Sequence, residues 1–339
     1  MKTAMPRLLI SVVTYGQVQQ TKAFLRHMLH QLERERVDCR IAVLDNFELY
    51  SREDRAMIQE ELAGVFPSLR IVDIQNRTWN ESTITADDGI IYIFNNENQG
   101  YAKGHNLAFA IGNHHFGSDV FLACGNDVEC ISSTLFSTLV GHLDKQRDIG
   151  VIGPRIISHT ATWQGPFKYQ SIYKRYIAFL FYPIIHLLFG TYFQSKVISD
   201  VITDIEEGYV YRLMGCFLLF RSSAFQEVGG FDEDTFLFAE EQIISERLAQ
   251  RGYRNYYCGE VAIRHEPGKT TRAFFHERDA AWLRFRNDMV YYRKYKNVSA
   301  GMIILATFSF AVYLYVYKPA AAQLAALVRA VKAPLKPVR

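Results

Sequence analysis

Sulfur and proline are scarce in this chain of 339 residues, with five cysteines and nine prolines. The cysteines (Cys39, Cys124, Cys130, Cys216 and Cys258) are odd in number and scattered, without the paired spacing of a metal site. That excludes a disulfide scaffold and implies a reducing compartment, with the thiols acting as small apolar residues. Acidic residues are absent after Asp288, where Arg293, Lys294, Lys296, Lys318, Arg329, Lys332, Lys336 and Arg339 follow. A positive tail of that kind suits an anionic membrane surface. The net charge of only +3 gives no reason to expect nucleic acid as a partner. No Walker loop, dinucleotide fingerprint or secretory signal is evident; the short apolar run after Arg7 belongs to a strand. With 22% charged and 49% hydrophobic residues, the composition is globular rather than disordered.

The chain does carry an alternation of strands and helices. Leu8 to Gly16 reads as a buried strand with a glycine turn, Val18 to Leu32 as a helix, and Cys39 to Asn46 as a second strand. Such strand–helix–strand units imply a parallel sheet, whose ligands sit beyond the carboxyl ends of the strands. Tyr15 and Asp45 fall at that edge, where one can stack on a base and the other accept its N–H; a strand-end Asp is equally an ordinary helix cap. A helix over 51–66 and strands over 69–74 and 90–94 follow. The stretch from Asn95 to Asn106, with Gly100 and Gly104, reads as a glycine-rich entry to a helix from Leu107 to Ile111. Free helix N–H groups there could line a phosphate. The strand ending at Cys124 delivers Asn126 and Asp127 to the same edge. A carboxylate so placed can bind a divalent cation bridging a diphosphate, and an Asn-Asp turn is the plain structural reading.

A paired-glycine turn, Gly229-Gly230, leads through Phe231 to Asp234 and an aromatic run into Glu240-Glu241, which open a helix. Alone, adjacent acids at a helix start are a capping pattern. A carboxylate beside aromatics also has the chemistry of a general base.

Taken in order, Ser11–Gly16 with Leu44–Asn46, Asn98–Asn106, Asn126-Asp127-Val128, Gly229–Glu233 with Phe236–Glu241, and His265 resemble glycosyltransferase family 2, in particular its bacterial rhamnosyltransferase-like branch. The resemblance covers roughly residues 7–296. It implies a GT-A fold: a doubly wound, mostly parallel α/β sheet with flanking helices, residues 1–130 forming a nucleotide-sugar-binding half and 131–296 an acceptor-binding half. It implies inverting transfer from a nucleotide-diphosphate sugar, such as dTDP-rhamnose or a UDP-sugar, to a glycan acceptor in surface polysaccharide assembly. By position, Thr14, Tyr15 and Asp45 would hold the nucleoside, and Gly100, Lys103, Asn106 and Asn126 would lie along the nucleotide and diphosphate. Asp127 and His265 would be metal ligands for Mn²⁺ or Mg²⁺, and Glu241 the catalytic base. Glu240 and Trp163 are further acceptor-side candidates. Three departures stand out. Gly125 replaces the first polar residue of an Asp-x-Asp-like motif, Glu241 replaces the more common Asp, and Ile243 replaces a frequent second Asp.

Val298 to Tyr317 holds twenty uncharged residues, enough for a membrane span. Basic residues flank both ends, and Pro319 is expected to break the helix before an Ala- and Leu-rich amphipathic segment. Residues 297–339 therefore read as a membrane-associated pair of helices on the cytoplasmic face of a bacterial inner membrane, with a single span as the alternative. That setting suits a polyprenyl-linked acceptor; a second copy of the chain is a further candidate partner. The competing functions are a sugar-1-phosphate nucleotidyltransferase, which lacks its glycine-rich basic loop here, and a sugar-nucleotide-binding protein without turnover.

Overall fold

The computed structural model describes residues 6–74, 78–81, 84–85, 87–160, 162–185, 199–266 and 276–323. The chain forms two compact units: Met1–Lys168 with Val201–Tyr291, and Tyr169–Asp200 with Tyr292–Arg339. The grouping differs from a single cut at 296, because residues 169–185 join the C-terminal segment.

In the first unit, apolar alternation along the strands decides the layers. In β1 (Leu8–Thr14), Leu8, Ile10 and Val12 enter one core and Leu9 the other. In β2 (Cys39–Asp45), Ile41 and Val43 oppose Ala42 and Leu44 in the same way. β3 (Leu69–Ile74) and β4 (Ile90–Asn95) follow, the latter with Ile90, Tyr92 and Phe94 set against Ile91 and Ile93. Strands apolar on both faces must be covered on both. The amphipathic helices α1 (Val18–Glu35), α2 (Arg52–Ala63) and, beyond α3, α4 (Leu135–Lys145) supply the first core. α3 (Gly100–Asn113) lines the second.

The remaining strands are β5 (Val120–Cys124), β6 (Val128–Cys130), β7 (Ile149–Ile157), β8 (Glu207–Val210), β9 (Phe217–Arg221) and β10 (Arg254–His265). The sheet runs β3-β4-β2-β1-β5-β9-β7-β10-β6, with β8 pairing β10. From β3 to β5 every pairing is parallel. β9 then lies antiparallel between β5 and β7, while β7 and β10 are parallel. The first strand sits between β2 and β5, so the crevice beyond its carboxyl end is where such a sheet receives ligands.

Arg40, within β2, is fully buried. Its guanidinium donates to the carbonyls of Asp88, Gly112, His114 and Thr85, so every nitrogen faces an acceptor. The cysteines are free. Burial pushes the thiols of Cys39 and Cys130 up to about 12, which keeps them uncharged in the core.

Two departures from the sequence expectation concern helices. The glycine-rich stretch is not a loop before Leu107: α3 already begins at Gly100, so Lys103 and Asn106 sit on its first two turns. Gly104 makes this possible, since a Cβ there would press on Val13 and the Asn46 amide. Downstream, α5 (Ile172–Arg175), α6 (Ser222–Glu227), α7 (Glu240–Gln250), α8 (Glu277–Lys296) and α9 (Ala300–Val312) complete the helices that matter here. α6 and α7 add Ala224, Phe225, Ile244 and Leu248 to the second core.

In the second unit Pro319 does not end the helix. Ala300 to Gln323 is one helical run of 24 residues containing an 18-residue window of mean hydropathy 1.8, long and apolar enough to cross a membrane. A π-turn at Tyr313–Tyr317 widens the ladder where the Pro319 ring would otherwise meet the Tyr315 carbonyl. Ser309 donates to the Tyr176 carbonyl at 2.8 Å, and Phe179 stacks on Tyr313 at 4.3 Å. Ile304, Leu305, Phe308, Tyr315 and Val316 are exposed. The expected amphipathic segment after Gln323 lies outside the described residues.

Candidate active site

At the carboxyl end of β1 the polar groups are largely committed to one another. Asp45 is fully buried. Its Oδ1 accepts from the backbone N–H of Gly16 at 2.9 Å and of Phe47 at 3.2 Å; its Oδ2 accepts from Tyr92 at 2.7 Å and Tyr50 at 3.1 Å. This carboxylate holds the turn that presents Tyr15 rather than facing the crevice itself. Tyr15 is half-buried, edge-on to Phe47, and donates to Glu48 at 3.4 Å. Burial and then the Glu48 charge raise its phenol above the ordinary value. Asn126 donates to Thr14 at 3.1 Å and Thr21 at 3.0 Å, and its Oδ1 accepts from Gln20 at 3.2 Å. Thr14 and Asn126 therefore join β1, α1 and the turn after β5.

α3 is bound to the paired-glycine turn. Asn106 Oδ1 accepts from the Phe231 N–H at 2.9 Å while its Nδ2 donates to the Phe231 carbonyl at 2.9 Å and to Glu233 at 3.2 Å. Gly100 has a φ of +71°, and a Cβ there would collide with the Phe236 carbonyl, which accepts from the Tyr101 N–H at 2.8 Å. Lys103, half-buried, makes no hydrogen bond or ion pair among the described residues. Next to Asn106, His105 is fully buried with Nδ1 2.7 Å from the Ser11 hydroxyl, and burial pushes its pKa down to about 3.

Two carboxylates remain open. Asp127 keeps 17% of its side chain in solvent, and its Oδ2 lies 3.5 Å from His265 Nε2. Gln164 fixes that imidazole: its Nε2 donates to the His265 carbonyl at 3.0 Å, which turns its Oε1 towards His265 Nδ1 at 2.7 Å. Nδ1 is then the donor, and Nε2 and the Asp127 oxygen face one another as two atoms that a proton or a cation must bridge. Sequence reasoning missed Gln164, one residue from Trp163. Trp163 itself lies half-buried under the Arg155 guanidinium, 5.0 Å from its ring centre. Gly125 has a direct use here: a Cβ on it would collide with Asp127 Oδ1.

The second carboxylate, Glu241, keeps 19% of its side chain in solvent and pairs with Arg212 at 3.6 Å, another residue the sequence did not flag. Arg212 lies over the Phe167 ring at 3.9 Å. Phe238 and Ala239 precede α7 with φ of +75° and +72°. Side chains rarely accept that conformation, and here two in succession aim Glu240 and Glu241. Glu240 is buried, with Oε1 lacking a hydrogen-bond partner among the described residues. Burial, followed by the Glu241 charge, pushes its carboxyl well above the usual carboxylate range. Ile243 is fully buried, so a carboxylate at that position would be in the core.

Asp127 and Glu241 lean on one junction. Gly125 donates to the Cys216 carbonyl at 3.1 Å, and a Cβ on Gly215 would sit 3.4 Å from Glu241 Oε1. The Cys216 thiol is pushed well above its ordinary value by burial first, then by Asp127, Cys124 and Glu241. Both carboxylates thus lie within electrostatic reach of one side chain.

Residues 192–335 match the family model described as Glycosyl transferase family 21. The chain is 34% identical over 85 residues to the O-antigen chain rhamnosyltransferase RfbN of Salmonella typhimurium, a match spanning 24% of this chain and 27% of that protein. It is 37% identical over 59 residues to the N-acetylglucosaminyl-diphospho-decaprenol L-rhamnosyltransferase of Mycobacterium tuberculosis, spanning 17% of this chain and 19% of the relative. The matches thus span under a third of the curated relatives. Among solved structures, the mannosyltransferase PcManGT from Pyrobaculum calidifontis, in complex with GDP-Man and Mn²⁺, superimposes with a TM-score of 0.52 at 15% identity, covering 99% of this chain and 82% of that one. At that identity the likeness concerns the fold.

Proposed function

From the premise that this chain is a glycosyltransferase of the family-2-like group with the GT-A fold, we propose that it is an inverting enzyme. It moves a sugar from a nucleotide-diphosphate donor to a glycan acceptor in bacterial surface polysaccharide assembly. The observation that carries this reading is the convergence of Asp127 and Glu241 on the Gly125–Cys216 junction. Asp45, Thr14, Asn126 and Asn106 are committed to internal partners. These two carboxylates each keep part of the side chain in solvent and come from different elements.

Glu241 takes the proton of the acceptor hydroxyl as its oxygen bonds to the anomeric carbon. The bond from that carbon to the phosphate oxygen breaks, and the nucleoside diphosphate leaves with the electron pair. Arg212 orients Glu241, and the strained turn at Phe238-Ala239 fixes the start of α7. Tyr15 offers its ring to the nucleoside, while Asp45, Thr14 and Asn126 position that turn from beneath. Gly100 and Asn106 join α3 to the loop that precedes Glu241, and the unpaired Lys103 ammonium suits the diphosphate.

Asp127 and His265 fit a divalent cation, since Gln164 leaves two acceptor atoms facing each other. A two-residue site suits a cation carried largely by phosphate oxygens, and its imidazole favours Mn²⁺ over Mg²⁺. When bound, that ion would neutralise charge on the departing diphosphate. The exposed Ile304, Leu305, Phe308, Tyr315 and Val316 support association with the cytoplasmic face of a membrane, and with it a polyprenyl-linked acceptor. In this reading Trp163 serves as an acceptor-side aromatic, and rhamnose from a nucleotide donor is the first choice by its relatives.

The test supplies the full chain with a panel of nucleotide sugars, Mn²⁺ and lipid-linked glycans. Release of nucleoside diphosphate with an inverted glycosidic product is expected. Release of pyrophosphate from a nucleoside triphosphate and a sugar phosphate would establish the nucleotidyltransferase instead.

A further inference from the structure

A second constellation, made of different residues, lies on the first-core face of the same sheet. Cys258 enters the first core, and Glu260, two residues on along β10, brings a carboxylate oxygen within 4.8 Å of its sulfur. Glu207 on β8 is the direct antiparallel partner of Cys258, so it stands on that face too. α4 covers this face through Phe136, Leu139 and Leu143, and it brings His142 alongside. The register shift between Cys258 and Ala262 interrupts the alternation there, so that Cys258 and Val261, three apart, enter the same core with Glu260 exposed beside them.

The result is four donor atoms within 4.8 Å of one another: an imidazole nitrogen, a thiol sulfur and two carboxylate oxygens. His142 Nε2 lies 3.9 Å from Glu207 Oε2. A tetrahedral zinc shell, with bonds of about 2.0–2.3 Å, places its ligands roughly 3.3–3.8 Å apart. Closing the gap takes about an ångström, and the side chains free to supply it are the exposed Glu207 and Glu260. Cys258 is fully buried and His142 mostly so, which leaves the sulfur and nitrogen as the fixed half of the site. This donor set differs in kind from Asp127 and His265. It contains sulfur, and sulfur with imidazole selects a borderline-soft cation rather than Mg²⁺.

We propose that His142, Glu207, Cys258 and Glu260 form a binding site for Zn²⁺ or a divalent cation of similar softness, separate from the diphosphate site. Binding converts the Cys258 thiol to the thiolate, and the released proton goes to solvent. The ion would tie α4 to the β8–β10 pair, and β8 leads through Tyr211 and Arg212 to Gly215 against Glu241. Its role is therefore a brace for the strand segment that carries the Glu241 partner. The inference does not depend on the transferase reading.

Zn²⁺ titrated calorimetrically into the metal-free full chain carrying Asp127→Asn, which disables the other pair, tests the site. One Zn²⁺ per chain is expected, with proton release and a raised Tm. Co²⁺ in its place is expected to give a sulfur-to-metal charge-transfer band in the near ultraviolet. His142→Ala and Glu260→Gln should each weaken binding by at least about tenfold, in line with the loss of one of four ligands. Cys258→Ser should abolish the band. Glu260→Gln, on an exposed side chain, keeps the test valid if the cysteine variant fails to fold. No saturable Zn²⁺ binding in the Asp127→Asn chain, or an affinity in His142→Ala and Glu260→Gln unchanged from that chain, would overturn the proposal.

Discussion

Asp45 and Asp127 lie at strand ends of the same sheet, one closing β2 and one just beyond β5, yet their surroundings are opposite. Asp45 is fully buried and takes four hydrogen bonds, two of them from tyrosines. Asp127 is partly in solvent, and the described ion-pair partner of its carboxylate is a histidine at 3.5 Å. A carboxylate with every lone pair answered builds a floor, because any new ligand must first displace a bond. One left with an unfilled side is where a ligand binds without that cost. The same contrast separates Asn106, clamped on both sides of Phe231, from Glu241, held by Arg212 at one oxygen.

The contrast is broken most sharply at Glu241. Replacing it by Gln is expected to lower transfer by about 10²–10⁴-fold, the usual worth of a positioned general base, with the melting temperature close to that of the parent. Unchanged turnover in a nucleoside-diphosphate release assay would place the base elsewhere. Next comes the floor. Asp45→Asn leaves at least one tyrosine or backbone donor facing an amide nitrogen, and about 1–3 kcal/mol of stability should be lost in urea unfolding. Asp127→Asn should leave that stability nearly unchanged, and equal losses would erase the distinction.

A pH effect follows from His105 on the committed side. Its folded pKa of about 3 lies below the unfolded value of 6.5, so the unfolded chain binds its proton first as pH falls. The neutral imidazole's contribution is complete above pH 6.5 and is lost as pH drops through the window towards 3. Between pH 6 and 5 this amounts to about 1.2 kcal/mol, and His105→Gln should show a slope shallower by nearly one proton. Smallest is Gly125→Ala. The new methyl pushes the Asp127 carboxylate to another rotamer, weakening Mn²⁺-dependent donor binding by about 2–10-fold.

Much of this was legible in the sequence. Apolar runs ending at Thr14, Asp45 and Cys124, each followed by a polar residue, gave the strands and their shared edge. Glu240-Glu241 after a glycine pair gave the start of α7. What escaped lies in contacts between residues far apart in the chain. Nothing local to Asp45 announces the Tyr92 phenol, nor does Gln164 announce its hold on an imidazole 101 residues away. Arg212 sits in an irregular segment with no periodicity to read. Glycines at 100 and 104 suggested a loop because their helix propensity is low, yet both are required by close packing against Phe236 and Val13. Pro319 suggested a helix stop, which the π-turn before it relieves.

The most direct test is calorimetric titration of a nucleoside-diphosphate sugar with Mn²⁺ into the parent chain, Asp127→Asn and Glu241→Gln. The account expects Mn²⁺-dependent binding in the parent, its retention in Glu241→Gln, and loss of the metal dependence in Asp127→Asn. Equal binding with and without Mn²⁺ in all three proteins would contradict it.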